Sequence, residues 1–276
     1  MPTAGNSVRR AFQWVKKRDA LRRERVAFER ARLVITNSDL TSLDVHRAIE
    51  STKDKIVRIW FGAALAQEAT QPRAYNGPFL LFVGALGWDM RKGLDIALKA
   101  LARLSLEPSF KHRLLVAGFG STRPWQKLAK ELRISERVEF LSFVEDVPAL
   151  LAAADLVLSP ARYEPYGLAI QEAIMEGVPA LVSAGGIGIL DRLPKSLSDL
   201  SVAEPEDPES WARSIRHVLR NLGDFRERTR AAAAMLGARN WDTFADEFID
   251  VVESRLATQL GRAVHGSESA QALGSE

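Results

Sequence analysis

The pattern of apolar and polar positions becomes regular from residue 79 onward. Short runs that are apolar at every position, such as FLLFV at 79–83, alternate with longer segments of helical period. A run that is apolar throughout is typical of a parallel strand covered on both faces, because a strand with one solvent-exposed face has alternating apolar and polar residues. The predicted strands are 79–83, 113–118, 137–141, 155–159, 179–183 and, less clearly, 199–203; the predicted helices are 93–104, 124–132, 147–153, 167–176, 208–221, 225–236 and 242–258. This alternation predicts an α/β fold with a doubly wound parallel sheet.

Before residue 79 the pattern is shorter and less complete. Residues 8–31 contain strong helix formers without Gly or Pro and predict a long helix. The apolar runs 33–38 and 55–61 predict two strands around a helix at 39–50. We therefore expect five parts: a partial N-terminal α/β segment (1–62), an Ala-, Pro- and Gly-rich linker (63–78), a complete α/β domain (79–240), a C-terminal helix (241–260) and a disordered tail of small and polar residues (261–276).

The composition excludes several classes of protein. The chain has 276 residues, of which 46% are hydrophobic and 26% are charged, as in ordinary globular proteins. It has no cysteine, which excludes a disulfide framework, a thiolate zinc site and a cysteine nucleophile. No apolar run approaches the roughly 20 residues that span a bilayer, and no apolar signal core lies near the N-terminus. We therefore expect a cytoplasmic protein.

Positive charge is concentrated at the N-terminus. Residues 1–32 contain ten basic and three acidic side chains, a balance of +7 in a chain whose net charge is +3. A basic helix at 8–32 could bind an anionic membrane surface, which would place the protein on the inner face of the membrane. The alternative is a solvated, arginine-rich helix face. Its three aromatic residues are too sparse for a nucleic-acid platform, so no nucleic-acid partner is expected.

The candidate functional residues lie in the loops that follow the strands, because open parallel sheets bind ligands at the carboxyl ends of their strands. The loop that follows Gly84 ends with Arg91 and Lys92 at a helix start, where a cation beside free backbone amides favours a phosphate. The alternative for Lys92 is a solvated loop lysine. Gly118 and Gly120 match only part of a dinucleotide-binding fingerprint and are weak evidence alone.

The loop 160–167 is the most informative. Gly167 and Leu168 open a helix whose first amides can face an anion, and Glu164 precedes them. Glu172 shares a helix face with Leu168, and its carboxylate could accept hydrogen bonds from a sugar diol. The alternatives are a turn carboxylate stabilised by the helix dipole for Glu164, and an exposed or salt-bridged helix residue for Glu172. Taken together, these residues suit a ligand with a diphosphate and sugar hydroxyls.

The stretch EPYGLAIQEA at 164–173 resembles the Glu-x7-Glu motif of retaining glycosyltransferases of the GT-B fold, family 4. The segments 83–98, 138–160 and 175–186 resemble, in the same order, the phosphate loop, the base-binding region and the segment after the second glutamate of that family. The resemblance covers about residues 24–255. It implies that 79–240 is a Rossmann-like donor-binding domain and that 1–62 is a remnant of the acceptor domain, most of which is missing.

The resemblance also implies residue roles. Glu164 and Lys92 would be catalytic: Glu164 would hold the hydroxyls of the donor sugar, and Lys92 would neutralise the departing diphosphate. Glu172 would bind the ribose diol. The complete set of donor-binding positions is Gly84, Arg91, Lys92, Gly118, Val144, Glu164, Tyr166, Gly167, Leu168 and Glu172. Family members often carry an arginine where this chain has Ala85, and Arg91 is the substitute we expect.

The function so implied is transfer of a hexose from a nucleotide-diphosphate sugar to an unknown glycan or lipid acceptor with retention. No Asp-x-Asp motif occurs in the chain, which agrees with metal-independent chemistry without a cofactor. Because the acceptor half is mostly missing, the chain is expected to be a truncated product, a fragment or a subunit that needs a separate acceptor-domain chain. The alternatives are a non-catalytic nucleotide-sugar-binding module and, disfavoured by the glutamate spacing, another GT-B enzyme such as an epimerase or a phosphorylase.

Overall fold

The computed structural model describes residues 18–63, 77–87 and 90–272, with side chains up to residue 255 and at 257. In chain order its helices and strands are α1 (18–30), β1 (Val34–Thr36), α2 (Asp39–Ala48), β2 (Ile56–Arg58), β3 (Phe79–Val83), α3 (Leu94–Leu104), β4 (Arg113–Ala117), α4 (Arg123–Glu131), β5 (Val138–Ser142), α5 (Val147–Ala153), β6 (Leu156–Ser159), α6 (Leu168–Met175), β7 (Ala180–Ser183), β8 (Ser201–Val202), α7 (Pro208–Arg220), α8 (Leu222–Gly237) and α9 (Trp241–Ala272). The chain forms two compact units, one with the described residues up to Trp60 and from Asp246, the other with Phe61–Ala245.

The first unit contains a parallel pair of short strands, β1 and β2. Helix α2 begins at Ser38, whose hydroxyl accepts a hydrogen bond from the amide of Thr41 at 3.1 Å, while the Thr41 hydroxyl accepts one from the amide of Ser38 at 3.2 Å. This reciprocal capping box satisfies two amides at the helix start. The predicted strand 55–61 is shorter in the structure, where it spans Ile56–Arg58 directly after a 3₁₀ segment at Glu50–Lys55.

Only residues 18–32 of the basic segment belong to the described part of the chain. The arginines of α1 are exposed, and two of them form ion pairs one helical turn apart, Arg23 with Asp19 and Arg25 with Glu29. Such exposed pairs contribute little to stability. Binding of this segment to an anionic membrane stays a prediction.

The second unit is built on a six-stranded sheet in the order β5-β4-β3-β6-β7-β8, with every pairing parallel. Its central strands are buried because they are apolar on both faces: Leu80, Leu81, Leu114 and Leu115 have no exposed surface. The edge strand β5 is only partly buried. The predicted doubly wound α/β fold is confirmed.

The order of the strands creates a crevice between β3 and β6. The chain proceeds from β3 outward through β4 to β5, then returns to place β6 on the other side of β3 and continues outward to β8. The loops that follow β3 and β6 therefore leave the sheet in opposite directions. Ligands of open α/β sheets bind at such a switch point.

The C-terminal part differs from the prediction. Helix α9 continues to Ala272, whereas a helix ending at 260 and a disordered tail from 261 were expected. Extending an existing helix costs much less than nucleating one, and residues 261–272 contain no proline to stop it. The predicted linker lies mostly outside the described residues. No helix of the described residues has a segment long and apolar enough to cross a membrane.

Candidate functional site

A cavity of about 170 Å³ lies where β3 and β6 end. It is lined by Phe82, Val83, Gly84, Lys92, Ser159, Ala161, Glu164, Gly167, Leu168, Ala169 and Ile170. Five of these are residues that the sequence predicts for the site. Two larger cavities, of about 340 and 360 Å³, belong to the first unit and contain none of the predicted site residues. We take the smaller cavity as the candidate site because, of these three cavities, it is the one lined by predicted site residues.

Two helices begin at glycines beside this cavity. Gly93 precedes α3 and Gly167 precedes α6, and both have a left-handed backbone, with φ of 70° and 110°. A Cβ atom at position 93 would lie 1.8 Å from the carbonyl oxygen of Pro160, so only glycine allows α3 to start against the loop that follows β6. Among the residues that the structure describes, no side chain caps either helix start. Their first amides are therefore suited to an anion.

Lys92 and Glu164 meet inside the cavity. The Lys92 ammonium donates a hydrogen bond to Oε2 of Glu164, and both side chains are largely shielded from solvent, with exposures of 32% and 20%. The backbone of Glu164 is fixed by the loop after β7: its amide donates to the carbonyl of Gly186 at 2.7 Å, and its carbonyl accepts from the amide of Gly188 at 3.0 Å. At the start of α6, a cation suited to bind a phosphate therefore lies beside a carboxylate suited to accept hydrogen bonds from hydroxyl groups.

Glu172 lies one turn further along α6 and does not line the cavity. It shares a helix face with Leu168 and Ala169, which do. Although the side chain is accessible to solvent, the surrounding protein atoms partly desolvate its carboxylate and raise its pKa. Within the described residues no cation or hydrogen-bond donor offsets this cost. Such an unpaired, desolvated carboxylate is suited to accept hydrogen bonds from a ligand.

This environment predicts that Glu172→Gln stabilises the protein at neutral pH. A pKa raised by folding means that the folded state binds the proton more tightly, so the stability it contributes is lost as the pH rises through that pKa. At pH 7 the variant should melt about 1–2 °C above the wild type, a small gain because the side chain keeps contact with water. At about pH 4, where the carboxyl is protonated, the difference should vanish. Differential scanning fluorimetry at both pH values tests this, with Glu227→Gln on the exposed face of α8 as the control.

The Tyr166 side chain is buried beside the cavity rather than lining it, and its predicted role in donor binding stays a prediction. Tyr166 is only 2% exposed, and its ring packs edge-on against Phe61 with the centroids 5.0 Å apart. Its hydroxyl donates to Oε1 of Gln171 and accepts from Arg192, each at 2.5 Å. Gln171 in turn donates to the carbonyl of Gly62 at 2.8 Å. A ring held in this way packs under the loop, and it is not among the residues that line the cavity.

Three further predicted positions do not line the cavity. Gly118 has a φ of 151°, and a Cβ atom there would lie 1.8 Å from the carbonyl oxygen of Gly84, so this glycine serves the close approach of the two loops. Val144 follows β5 and is half-buried. Arg91 is exposed, and its carbonyl accepts the amide of Arg162 at 2.7 Å.

Several residues of the site region were not predicted from the sequence. They are Asp95 and Arg162, which join the two loops, and Gln171 and Arg192, which hold Tyr166. The sequence contains one clue, a charged residue at position 95 within the otherwise apolar start of α3. Across the described residues, no group of three or more His, Asp or Glu side chains is placed to hold a metal ion.

Known proteins are similar to this chain in both sequence and fold. Residues 77–221 match the family described as Glycosyl transferases group 1. The lipopolysaccharide glucosyltransferase WaaG of Escherichia coli (strain K12) is 34% identical over 158 residues, which cover 56% of this chain and 39% of WaaG. The D-inositol 3-phosphate glycosyltransferase of Salinispora tropica is 33% identical over 200 residues, which cover 68% of this chain and 40% of that protein. This chain thus spans about two fifths of the length of these relatives.

The fold is also similar to that of solved glycosyltransferase structures. A crystal structure of WaaG matches with a TM-score of 0.67 at 24% identity, over 79% of this chain and 61% of WaaG. The Anabaena protein HepE, solved in complex with UDP-glucose, matches with a TM-score of 0.73 at 23% identity, over 85% of this chain and 67% of HepE. The shared fold is that of the GT-B glycosyltransferases.

Proposed function

Since the chain belongs to the group 1 family of glycosyl transferases, we propose that it supplies the donor side of a retaining, metal-independent transferase of family 4. The substrate is a nucleotide-diphosphate hexose, and the product is a glycosylated glycan or lipid. The observation that carries this proposal is the contact of Lys92 with Glu164 at the start of α6, inside the cavity at the switch point of the sheet. It supports a ligand that is anionic at one end and rich in hydroxyls at the other.

Each group has a defined task in this proposal. The Lys92 ammonium and the amides of Gly167 and Leu168 stabilise the negative charge that grows on the diphosphate as its bond to the hexose breaks. Fixed protein charges thereby take over the electrostatic part that a metal ion has in other phosphate chemistry. Glu164 accepts hydrogen bonds from hexose hydroxyls and orients the reacting carbon, and Glu172 accepts those of the ribose diol.

The acceptor side is supplied by another part of a longer protein or by a separate chain. The supporting observation is the coverage, since the chain spans about two fifths of the curated relatives WaaG and the Salinispora enzyme. The same observation favours a second candidate function, a nucleotide-sugar-binding module without turnover. We further propose that the protein is cytoplasmic and that its basic segment 8–32 binds the inner surface of the membrane.

Calorimetric titration of the full chain with UDP, GDP and ADP tests the proposal. We expect one of them to bind with a Kd of about 10–100 μM, and we expect the same value in the presence of EDTA, because no metal takes part. Failure of a folded chain to bind any of the three would refute the donor site, and loss of binding in EDTA would refute metal independence. Hydrolysis of the matching nucleotide sugar, or its transfer to added acceptors, separates the transferase from the binding module.

A further inference from the structure

The loop between β6 and α6 contains a cation that the proposed donor chemistry does not use. Arg162 lies two residues before Glu164, but its guanidinium contacts the start of α3 instead of lining the cavity. It donates hydrogen bonds to both carboxylate oxygens of Asp95, at 3.0 and 3.2 Å, and to the carbonyl of Met90. The backbone amide of Arg162 adds a hydrogen bond to the carbonyl of Arg91 at 2.7 Å.

The contact between Arg162 and Asp95 is strong for a pair near the surface. The Asp95 side chain is only 5% exposed. Burial alone would raise the pKa of Asp95, but the hydrogen bonds and charge of Arg162, with a smaller contribution from Lys99, lower it below its usual value. A buried carboxylate that lost this partner would be left uncompensated, which is costly. Glu206 accepts a further hydrogen bond from Arg162 at 2.8 Å.

The attachment points of Arg162 bracket Lys92 along the chain. Met90 and Arg91 come before Lys92, and Asp95 follows it in the first turn of α3. Arg162 itself belongs to the loop that carries Glu164. The two side chains that meet in the cavity therefore belong to two loops that one guanidinium joins.

We propose that Arg162 is a positioning residue that fixes the loop carrying Lys92 relative to the loop carrying Glu164. This inference rests on the proposed function, because it assigns the two loops to one ligand. Lys92 binds the diphosphate, Glu164 binds the hexose, and Arg162 sets the distance between them. Holding both carboxylate oxygens of Asp95 requires a planar, bidentate donor. A lysine at position 162 would keep the charge but lose this geometry.

The test uses Arg162→Lys in the full chain, with Asp95→Asn to break the same contact from its other side. Arg228→Lys is the matched control, because Arg228 contacts both carboxylate oxygens of Asp199 at 3.1 Å and also a backbone carbonyl, that of Ser196. None of these three residues lines the cavity. The probe is the nucleoside diphosphate that binds the wild type most tightly, titrated by calorimetry, and thermal melting is recorded for every variant.

We expect Arg162→Lys and Asp95→Asn each to weaken nucleotide binding about tenfold, and Arg228→Lys to change it less than twofold. The decisive readout is the coupling with Lys92. In the Arg162→Lys background, Lys92→Ala should cost at least threefold less affinity than in the wild type, because the lysine is already misplaced.

Additive losses, or wild-type affinity in Arg162→Lys, would show that Arg162 serves stability alone and would overturn the inference while leaving the proposed function intact. A wild type that binds no nucleoside diphosphate would overturn both.

Discussion

Replacing Lys92 by alanine is expected to weaken the binding of a nucleoside diphosphate by about 100-fold. A hydrogen bond from an ammonium to a phosphate contributes about 1.5–3 kcal/mol. The variant also leaves Glu164 without its partner in the cavity, so a negative charge then repels the incoming anion. The two effects act in the same direction, and their sum of about 3 kcal/mol corresponds to the stated loss. Isothermal titration calorimetry at low salt measures it.

The contact between Lys92 and Glu164 provides an internal check. Adding Glu164→Gln to Lys92→Ala removes the unpaired charge and should restore about tenfold of the affinity for the nucleoside diphosphate. Lys127→Ala is the matched control, because Lys127 is exposed on α4, forms an ion pair with Glu131 and does not line the cavity. Equal losses for Lys92→Ala and Lys127→Ala would mean that only the overall charge of the protein attracts the nucleotide.

The sheet could be predicted because its strands depend on a local property of the sequence. Runs such as FLLFV are apolar on both faces, and burial of Leu80 and Leu81 follows directly from that pattern. That Lys92 and Glu164 lie at the carboxyl end of the sheet could be predicted for a related reason, since each follows the end of a buried strand. Their mutual contact could not, because the order of the strands, which places β6 beside β3, is decided by tertiary packing.

Contacts that depend on side-chain orientation or on a distant partner could not be predicted from the sequence. Tyr166 lies between two predicted ligand-binding residues, and only the packed structure shows that its ring faces Phe61. Arg162 and Asp95 are 67 positions apart, and although Asp95 is unusual in the apolar start of α3, nothing local indicates its partner. Their pairing requires the start of α3 to lie against the loop after β6, which depends on Gly93 and its close approach to Pro160.

Replacing Glu164 by glutamine is expected to change the affinities for two related ligands in opposite directions. The nucleoside diphosphate should bind about threefold more tightly, because its phosphates no longer compete with a carboxylate for Lys92. The corresponding nucleotide hexose should bind about tenfold more weakly, because a neutral amide replaces the charged acceptor of the sugar hydroxyls. Any transfer or hydrolysis by the wild type should fall at least 100-fold, since hydrogen bonds to a charged group contribute most where the reacting carbon is oriented.

Opposite changes in the affinities for the two ligands distinguish a role of Glu164 in binding from a role in the structure of its loop. A variant that merely loosened the loop held by Gly186 and Gly188 would weaken both ligands together. Glu139→Gln is the matched control, because it also removes a carboxylate from an ion pair, that with Arg113 at 3.1 Å, but lies on the edge strand β5. Titration of the wild type, Glu164→Gln and Glu139→Gln with both ligands gives the comparison. Parallel weakening of both ligands by Glu164→Gln would assign Glu164 to the structure of the loop, whereas opposite changes place it between the diphosphate and the sugar.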